Sequence, residues 1–206
     1  MLYVMRCTIK RRAWDRFVGI PQGLTPVSML FRGGELMRSL PVHVWRELQL
    51  AVMLLSEESS LRDVLGVIFL WIRGNYKYFT VEPFLSYGID EFSNVNESLM
   101  PVDYSSFLPS DITRFKKVIL GYQAKDVESI ARFLRDTIEV LITVEVDKQC
   151  PRCESNGMRV FIGRHNGLLA YQCDVCGHSH YIDGSKVEVG GLEFVSEGML
   201  RNIGLI

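Results

Sequence analysis

The chain has 206 residues, of which 48% are apolar, and a formal net charge of −1 at pH 7. This length predicts one domain, or one domain with a small module. The high apolar content predicts a folded chain and not a disordered one. No segment offers the roughly 18 uncharged apolar residues of a membrane span. The basic residues Arg6 to Arg12 follow the first apolar residues, which is the wrong order for a secretory signal. We therefore expect a cytoplasmic protein without a membrane segment.

The charge is distributed unevenly along the chain. Residues 1–46 carry eight Lys and Arg against two acids, residues 47–146 carry nine against fifteen, and residues 147–206 carry six against seven. The basic residues 6–16 could meet an anionic partner, or the basic part could pack beside the acidic middle, and charge balance alone leaves both open.

The first third of the chain predicts one strand, a loop and a helix. A loose alternation of apolar residues predicts a strand over Leu2–Ile9, and repeated Gly and Pro predict a loop over Gly19–Gly34. Between Pro41 and Leu55, apolar residues recur every three or four positions, as on one face of a helix. Proline suits the first turn, where its missing N–H is not needed.

A second helix is predicted from Ser60 to Gly74. Ser60 can cap its free amides, Asp63 favours the positive helix end, and glycine commonly follows a C-terminus. Since this helix is apolar nearly all round, we expect it at the centre of the core.

The segment from Asn75 to Phe107 shows no sustained period and predicts a long connection with short irregular pieces. Its aromatic residues offer either anchors for a protein partner or ordinary core side chains. They are Tyr76, Tyr78, Phe79, Phe84, Tyr87 and Phe92.

Two further helices are predicted: Ser110 can cap one that runs to about Gly121, and Asp126 can cap a longer one that runs to about Ile142 and has its apolar residues on one side. Val140–Val146 is rich in β-branched residues, so the end of the second one could be strand instead. Residues 1–146 are therefore predicted to form a mainly helical domain.

Four of the five cysteines form two Cys-x-x-Cys pairs: Cys150 with Cys153, and Cys173 with Cys176. Each pair offers two sulfurs from one tight turn, and four thiolates complete the tetrahedral shell that structural zinc prefers. In a reducing compartment, paired cysteines favour metal over disulfides, so the pattern predicts one structural Zn²⁺. A redox dithiol is the alternative for a single pair. The fifth cysteine, Cys7, is most simply a buried small apolar residue.

The knuckles C-P-R-C and C-D-V-C-G-H, with a hairpin signal at His165-Asn166-Gly167 between them, resemble the zinc-ribbon family over residues 148–183. The resemblance implies that all four cysteines bind one non-catalytic zinc. Predicted strands over Arg159–Gly163, Leu168–Gln172 and His180–Ile182 would form a three-stranded sheet. Gly177 follows the second knuckle as in ribbons, whereas Glu154 follows the first. The overall expectation is an α+β fold with a zinc-ribbon module and C-terminal tail at 147–206.

The histidines and carboxylates give weaker signals for a site. His178 and His180 are alternative zinc ligands or surface groups. Asp90 and Glu91 could be acid and base residues or solvated carboxylates. No phosphate-binding loop, G-x-S-x-G elbow or H-E-x-x-H motif occurs, so no catalytic or cofactor-binding residue is predicted beyond the metal ligands.

The favoured function is a non-enzymatic protein-binding module. In size and layout the chain looks like bacterial immunity proteins, which neutralise a toxin by direct binding. The alternative is a nucleic-acid-binding or transcription-related ribbon, in which Arg152, Arg159 and Arg164 form a basic patch. An enzyme with an unfamiliar site is a third hypothesis, which a deep pocket with convergent polar groups would favour.

Overall fold

The computed structural model describes residues 37–206. The strand predicted over Leu2–Ile9, the loop over Gly19–Gly34, Cys7 and the basic residues 6–16 lie outside these residues and stay predictions. The described part is an α+β structure, with most helices in its first half and an antiparallel sheet in its second half.

Four helices lie where the sequence predicts them, and a fifth follows the sheet. Their bounds are α1 Val42–Met53, α2 Leu61–Gly74, α3 Asp111–Gly121, α4 Val127–Ile142 and α5 Glu197–Asn202. In residues 37–206, no helix combines the length and the apolar character that crossing a membrane requires.

Helix α2 has the predicted N-terminus and the predicted central place. The Ser60 hydroxyl accepts a bond from the Asp63 amide at 3.1 Å, and the Asp63 carboxylate accepts one from the Ser60 amide at 2.8 Å. This reciprocal pair satisfies two amides that helix geometry leaves free. The helix contacts α1, α4 and the segment between α2 and α3, so it lies at the centre of the helical packing.

The segment after α2 consists of short irregular pieces, as predicted. Four 3-10 helices occupy it, at Tyr76–Tyr78, Asp90–Asn94, Glu97–Leu99 and Val102–Tyr104. Phe79, Phe84 and Phe92 are fully buried, so for these three aromatics the core interpretation holds. The alternative that these three anchor a partner does not hold, because a side chain without exposed surface cannot contact another protein.

The C-terminal sheet has five strands, which corrects the expected three-stranded ribbon. Its strands are β1 Glu145–Gln149, β2 Asn156–Gly163, β3 Leu169–Cys173, β4 Ser179–Tyr181 and β5 Leu192–Phe194. The predicted hairpin joins β2 and β3, and β4 pairs with β3. The other edge of β2 is shared, because β1 pairs with its first half and β5 with its last residues.

The two additional strands carry weak local signals. β1 has charged residues at Glu145, Asp147 and Lys148, and β5 has only three residues. The β-branched run before β1 stays helical to Ile142 because Val140, Leu141 and Ile142 are buried in the core, and packing overrides strand propensity there. The division at residue 146 into two domains stays a prediction.

The predicted C-terminal tail contains helix α5, which packs into the same core as the sheet. Ser196 caps it by accepting a bond from the Met199 amide. Leu200 is buried in a cluster with the sheet residues Met158, Val160 and Tyr171, and the two buried cysteines belong to the same cluster. The inner side of the cysteine site is therefore packed against buried apolar side chains of the sheet and of α5.

Candidate metal centre

The two Cys-x-x-Cys turns lie at the same end of the sheet. The first turn connects β1 to β2, and the second connects β3 to β4. The start of β2 pairs with the end of β3, with Met158 opposite Cys173. The antiparallel register therefore brings four cysteines together that are up to 26 positions apart in sequence.

The two turns have the same backbone geometry. The Glu154 amide donates to the Cys150 carbonyl, and the Gly177 amide donates to the Cys173 carbonyl, each at 2.9 Å. Glu154 and Gly177 both have positive φ, 59° and 67°. Glycine adopts this conformation at no steric cost, whereas glutamate does so under strain. Glu154 thus departs from the ribbon pattern in residue type while its backbone follows the pattern.

The four sulfurs are arranged so that they could hold one metal ion. All of them lie within 4.8 Å of one another. Cys150 Sγ is 3.6 Å from Cys176 Sγ, and Cys153 Sγ is 3.6 Å from Cys173 Sγ. A tetrahedral ion with metal–sulfur bonds of about 2.3 Å separates its ligand sulfurs by about 3.8 Å. The donor set therefore fits a tetrahedral thiolate site with little rearrangement.

A serine that sequence reasoning missed lies between two of these sulfurs. The Ser155 hydroxyl is 3.0 Å from Cys153 Sγ and 3.1 Å from Cys173 Sγ. Its hydrogen bond is the main cause that lowers the pKa of Cys153 to about 6. The Val175 amide also donates to Cys173 Sγ at 3.4 Å. These donors favour thiolates, which are the form that binds metal.

Crowding of the sulfurs acts in the opposite direction on Cys176. The His178 backbone donates a hydrogen bond that favours its thiolate, but burial and the three neighbouring thiols outweigh that bond and raise the pKa of Cys176 to about 12. Four adjacent negative sulfurs repel one another, so a bound cation is what would allow all four to ionise.

The histidines lie beside the cysteine site without joining the group that could hold a metal. His178 and His180 stack on each other with ring centroids 5.6 Å apart. Within residues 37–206, the four cysteines are the one group of three or more metal-competent side chains. Asp90 and Glu91 therefore belong to no such group; Asp90 is half-buried, and burial raises its pKa.

A buried arginine holds the second turn, a role that the sequence did not indicate for it. Arg159 on β2 forms a bidentate ion pair with Asp174, one bond of which is 2.8 Å, and it donates to the Thr143 hydroxyl at the end of α4 at 3.0 Å. Arg159 is 7% exposed. Because Asp174 lies between Cys173 and Cys176, this pair fixes the turn that presents both sulfurs.

The basic patch expected from three arginines is reduced by these contacts. Arg159 is buried against Asp174, and Arg164 pairs with Glu193 at 3.2 Å. Arg152 is exposed. Phosphate binding favours several free cations on one surface, and the ion pairs of Arg159 and Arg164 reduce the positive charge that these three arginines offer.

Comparison of the chain with protein-family models, with curated proteins and with solved structures finds no match.

Proposed function

We propose that the chain is a non-enzymatic protein-binding module whose sheet is stabilised by one structural zinc ion on Cys150, Cys153, Cys173 and Cys176. The observation that carries the binding proposal is an apolar face of α1 that is not covered by the core. Val42, Leu50 and Met53 are 73%, 54% and 57% exposed. These three side chains line one groove, and apolar residues grouped on one exposed surface are typical of interaction sites.

The choice of zinc follows from the donor chemistry. Thiolates are soft ligands, which favours zinc over the oxygen-binding cations magnesium and calcium. Four sulfurs also fill the tetrahedral shell, so they leave no position for water or substrate. In this proposal the ion stabilises the two turns, and the arrangement is that of a zinc ribbon extended by β1 and β5.

Neutralisation of a bacterial toxin is the narrower form of the binding proposal and rests on the resemblance in size and layout. The test is recovery of the tagged full-length chain from its own host at physiological salt, followed by mass spectrometry and measurement of the partner ratio. A stoichiometric protein partner supports the proposal, and a toxin among such partners supports the narrower form. Recovery of no stoichiometric protein contradicts both, and salt-dependent retention of nucleic acid favours the alternative.

A further inference from the structure

A surface groove of about 720 Å³ runs between α1, the end of α3 and the segment that follows it. Hydrogen bonds fix its floor. Trp45 Nε1 donates to the Tyr122 carbonyl at 2.9 Å, and Gln49 Nε2 donates to the Ile119 and Tyr122 carbonyls at 3.2 and 3.3 Å. Because these bonds tie α1 to the end of α3, the groove is preformed rather than a product of loose side chains.

Helix α1 has a buried apolar face and an outward face that carries both apolar and polar residues. Val44, Leu48 and Val52 form the buried face that packs into the core. The residues of the outward face lie within about 100° of one another around the helix axis. This face comprises Val42, Arg46, Gln49, Leu50 and Met53, all of which line the groove. Leu120 on α3, 42% exposed, extends this apolar surface across the groove.

The charged side chains among the described residues that line the groove are of one sign, and they are those of Arg46 and Lys125. An acid close to the groove is Asp126, whose carboxylate accepts a bond from the amide of the lining residue Gln123. The N-terminus of α1 adds to this potential, because its first turn contains no acidic residue and Pro41 makes no side-chain capping bond. The first turns of α2, α3, α4 and α5 each contain an acid. The amide end of α1, which lies at the groove, therefore favours negative charge.

We propose that this groove binds an amphipathic helix of the protein partner, with apolar residues facing α1 and carboxylates facing Arg46 and Lys125. Apolar anchors spaced along one helix face match a groove of this kind. A second copy of the chain is a poorer occupant, because symmetric pairing through this surface would place the same cations against each other. The inference rests on the proposed protein-binding function and names the surface and the chemistry of the partner.

A defined probe tests the groove independently of any host partner. The probe is a fluorescein-labelled helical peptide of about five turns with leucines on one face and glutamates on the other, and its match has lysines in place of the glutamates. Fluorescence anisotropy with the full-length chain is expected to show binding of the glutamate peptide at least ~10-fold tighter than of the lysine peptide, and weaker binding at high salt.

Variants locate the binding. L50S/M53S is expected to weaken binding of the glutamate peptide by at least ~10-fold. The control is L70S, because Leu70 is an exposed residue of α2 that does not line the groove, and this variant should bind the peptide as the wild type does. R46E/K125E is expected to reverse the preference between the two peptides, which keeps the test valid if the apolar variant folds poorly. Circular dichroism checks each fold.

The inference is overturned if the glutamate peptide does not bind, if L50S/M53S and L70S behave alike, or if the groove variants instead abolish a concentration-dependent dimer. None of these results contradicts the proposed protein-binding function if the chain recovered from its host carries a stoichiometric protein partner. Conversely, recovery of no protein partner contradicts the proposed protein-binding function, whatever the affinity for the peptides.

Discussion

The ring of Phe194 on β5 lies against the ring of Phe92 in the 3-10 helix Asp90–Asn94, with centroids 5.7 Å apart. The guanidinium of Arg135 on α4 lies over both rings, 5.0 Å from the centroid of Phe92 and 5.6 Å from that of Phe194. The last strand of the sheet thus packs on the helical region through an aromatic pair capped by a cation.

This contact predicts that Phe92→Ala destabilises the protein by about 3–5 kcal/mol, because it removes a fully buried aromatic side chain that also stacks on Phe69. Urea unfolding followed by circular dichroism measures the change. Leu85→Ala, in the same segment but 45% exposed, serves as the control and should cost under about 0.5 kcal/mol. Equal midpoints for the two variants would contradict the role given to Phe92.

Removal of one sulfur should abolish metal binding. We expect the purified wild-type chain to carry one zinc ion, and Cys173→Ser to carry none, because three thiolates no longer close the shell around the ion. Limited proteolysis should then cut first within residues 147–206, since the sheet loses the metal ion that stabilises its two turns. Elemental analysis measures the metal, and Cys7→Ser is the matched control that should keep it.

Two results would refute this metal assignment. One is clean, folded wild-type protein with zinc content near zero, and the other is a Cys173→Ser variant with full metal content and unchanged resistance to protease.

The hydroxyl of Ser155 should tune the metal site without being a ligand. It lowers the pKa of Cys153 to about 6, so Ser155→Ala raises that pKa and lets protons compete better with the ion. We expect about 10-fold weaker zinc binding at pH 7 and release of zinc at a higher pH during acidification. A chromogenic chelator follows the release. Ser185→Ala, which removes a hydroxyl bonded to Asp183, should release zinc at the wild-type pH.

Asp136 predicts a specific pH dependence of stability. Burial is the main cause that raises its pKa to about 6, and Glu139 adds to it. Since this value exceeds the ordinary value of 3.8, the folded state holds the proton more tightly, and stability falls as pH rises from about 4 to 6. The penalty is fully present above pH 6.

Asp136→Asn should therefore stabilise the protein at pH 7.5, by about 1–2 kcal/mol after allowance for the partly exposed side chain, and have little effect near pH 4. Chemical unfolding at both pH values measures the difference. Asp183→Asn is the control, because hydrogen bonds from Ser185 lower the pKa of Asp183 and its replacement should not stabilise. An equal gain for Asp136→Asn at both pH values would exclude titration as the cause.

Local patterns carried much of the fold. The period of apolar residues located α1, α2 and α4, and Ser60 with Asp63 marked the start of α2, because helix formation and capping depend on residues within one or two turns. The same holds for the hairpin at His165-Asn166-Gly167. β1, β5 and α5 were missed, because each is short or polar and is stabilised by the neighbours it packs against.

The amino-acid sequence by itself determined the four candidate metal ligands, since each Cys-x-x-Cys pair is set by a single turn of backbone. Only the tertiary structure decided what surrounds them, with Ser155 beside Cys173 and Arg159 paired with Asp174. It also decided how the sheet packs on the helical region, through Phe92 against Phe194. The exposed face of α1 is a further case, since the spacing of Leu50 and Met53 does not show that they line a groove beside the end of α3. These relationships depend on strand register and helix packing between distant residues, for which local spacing provides no signal.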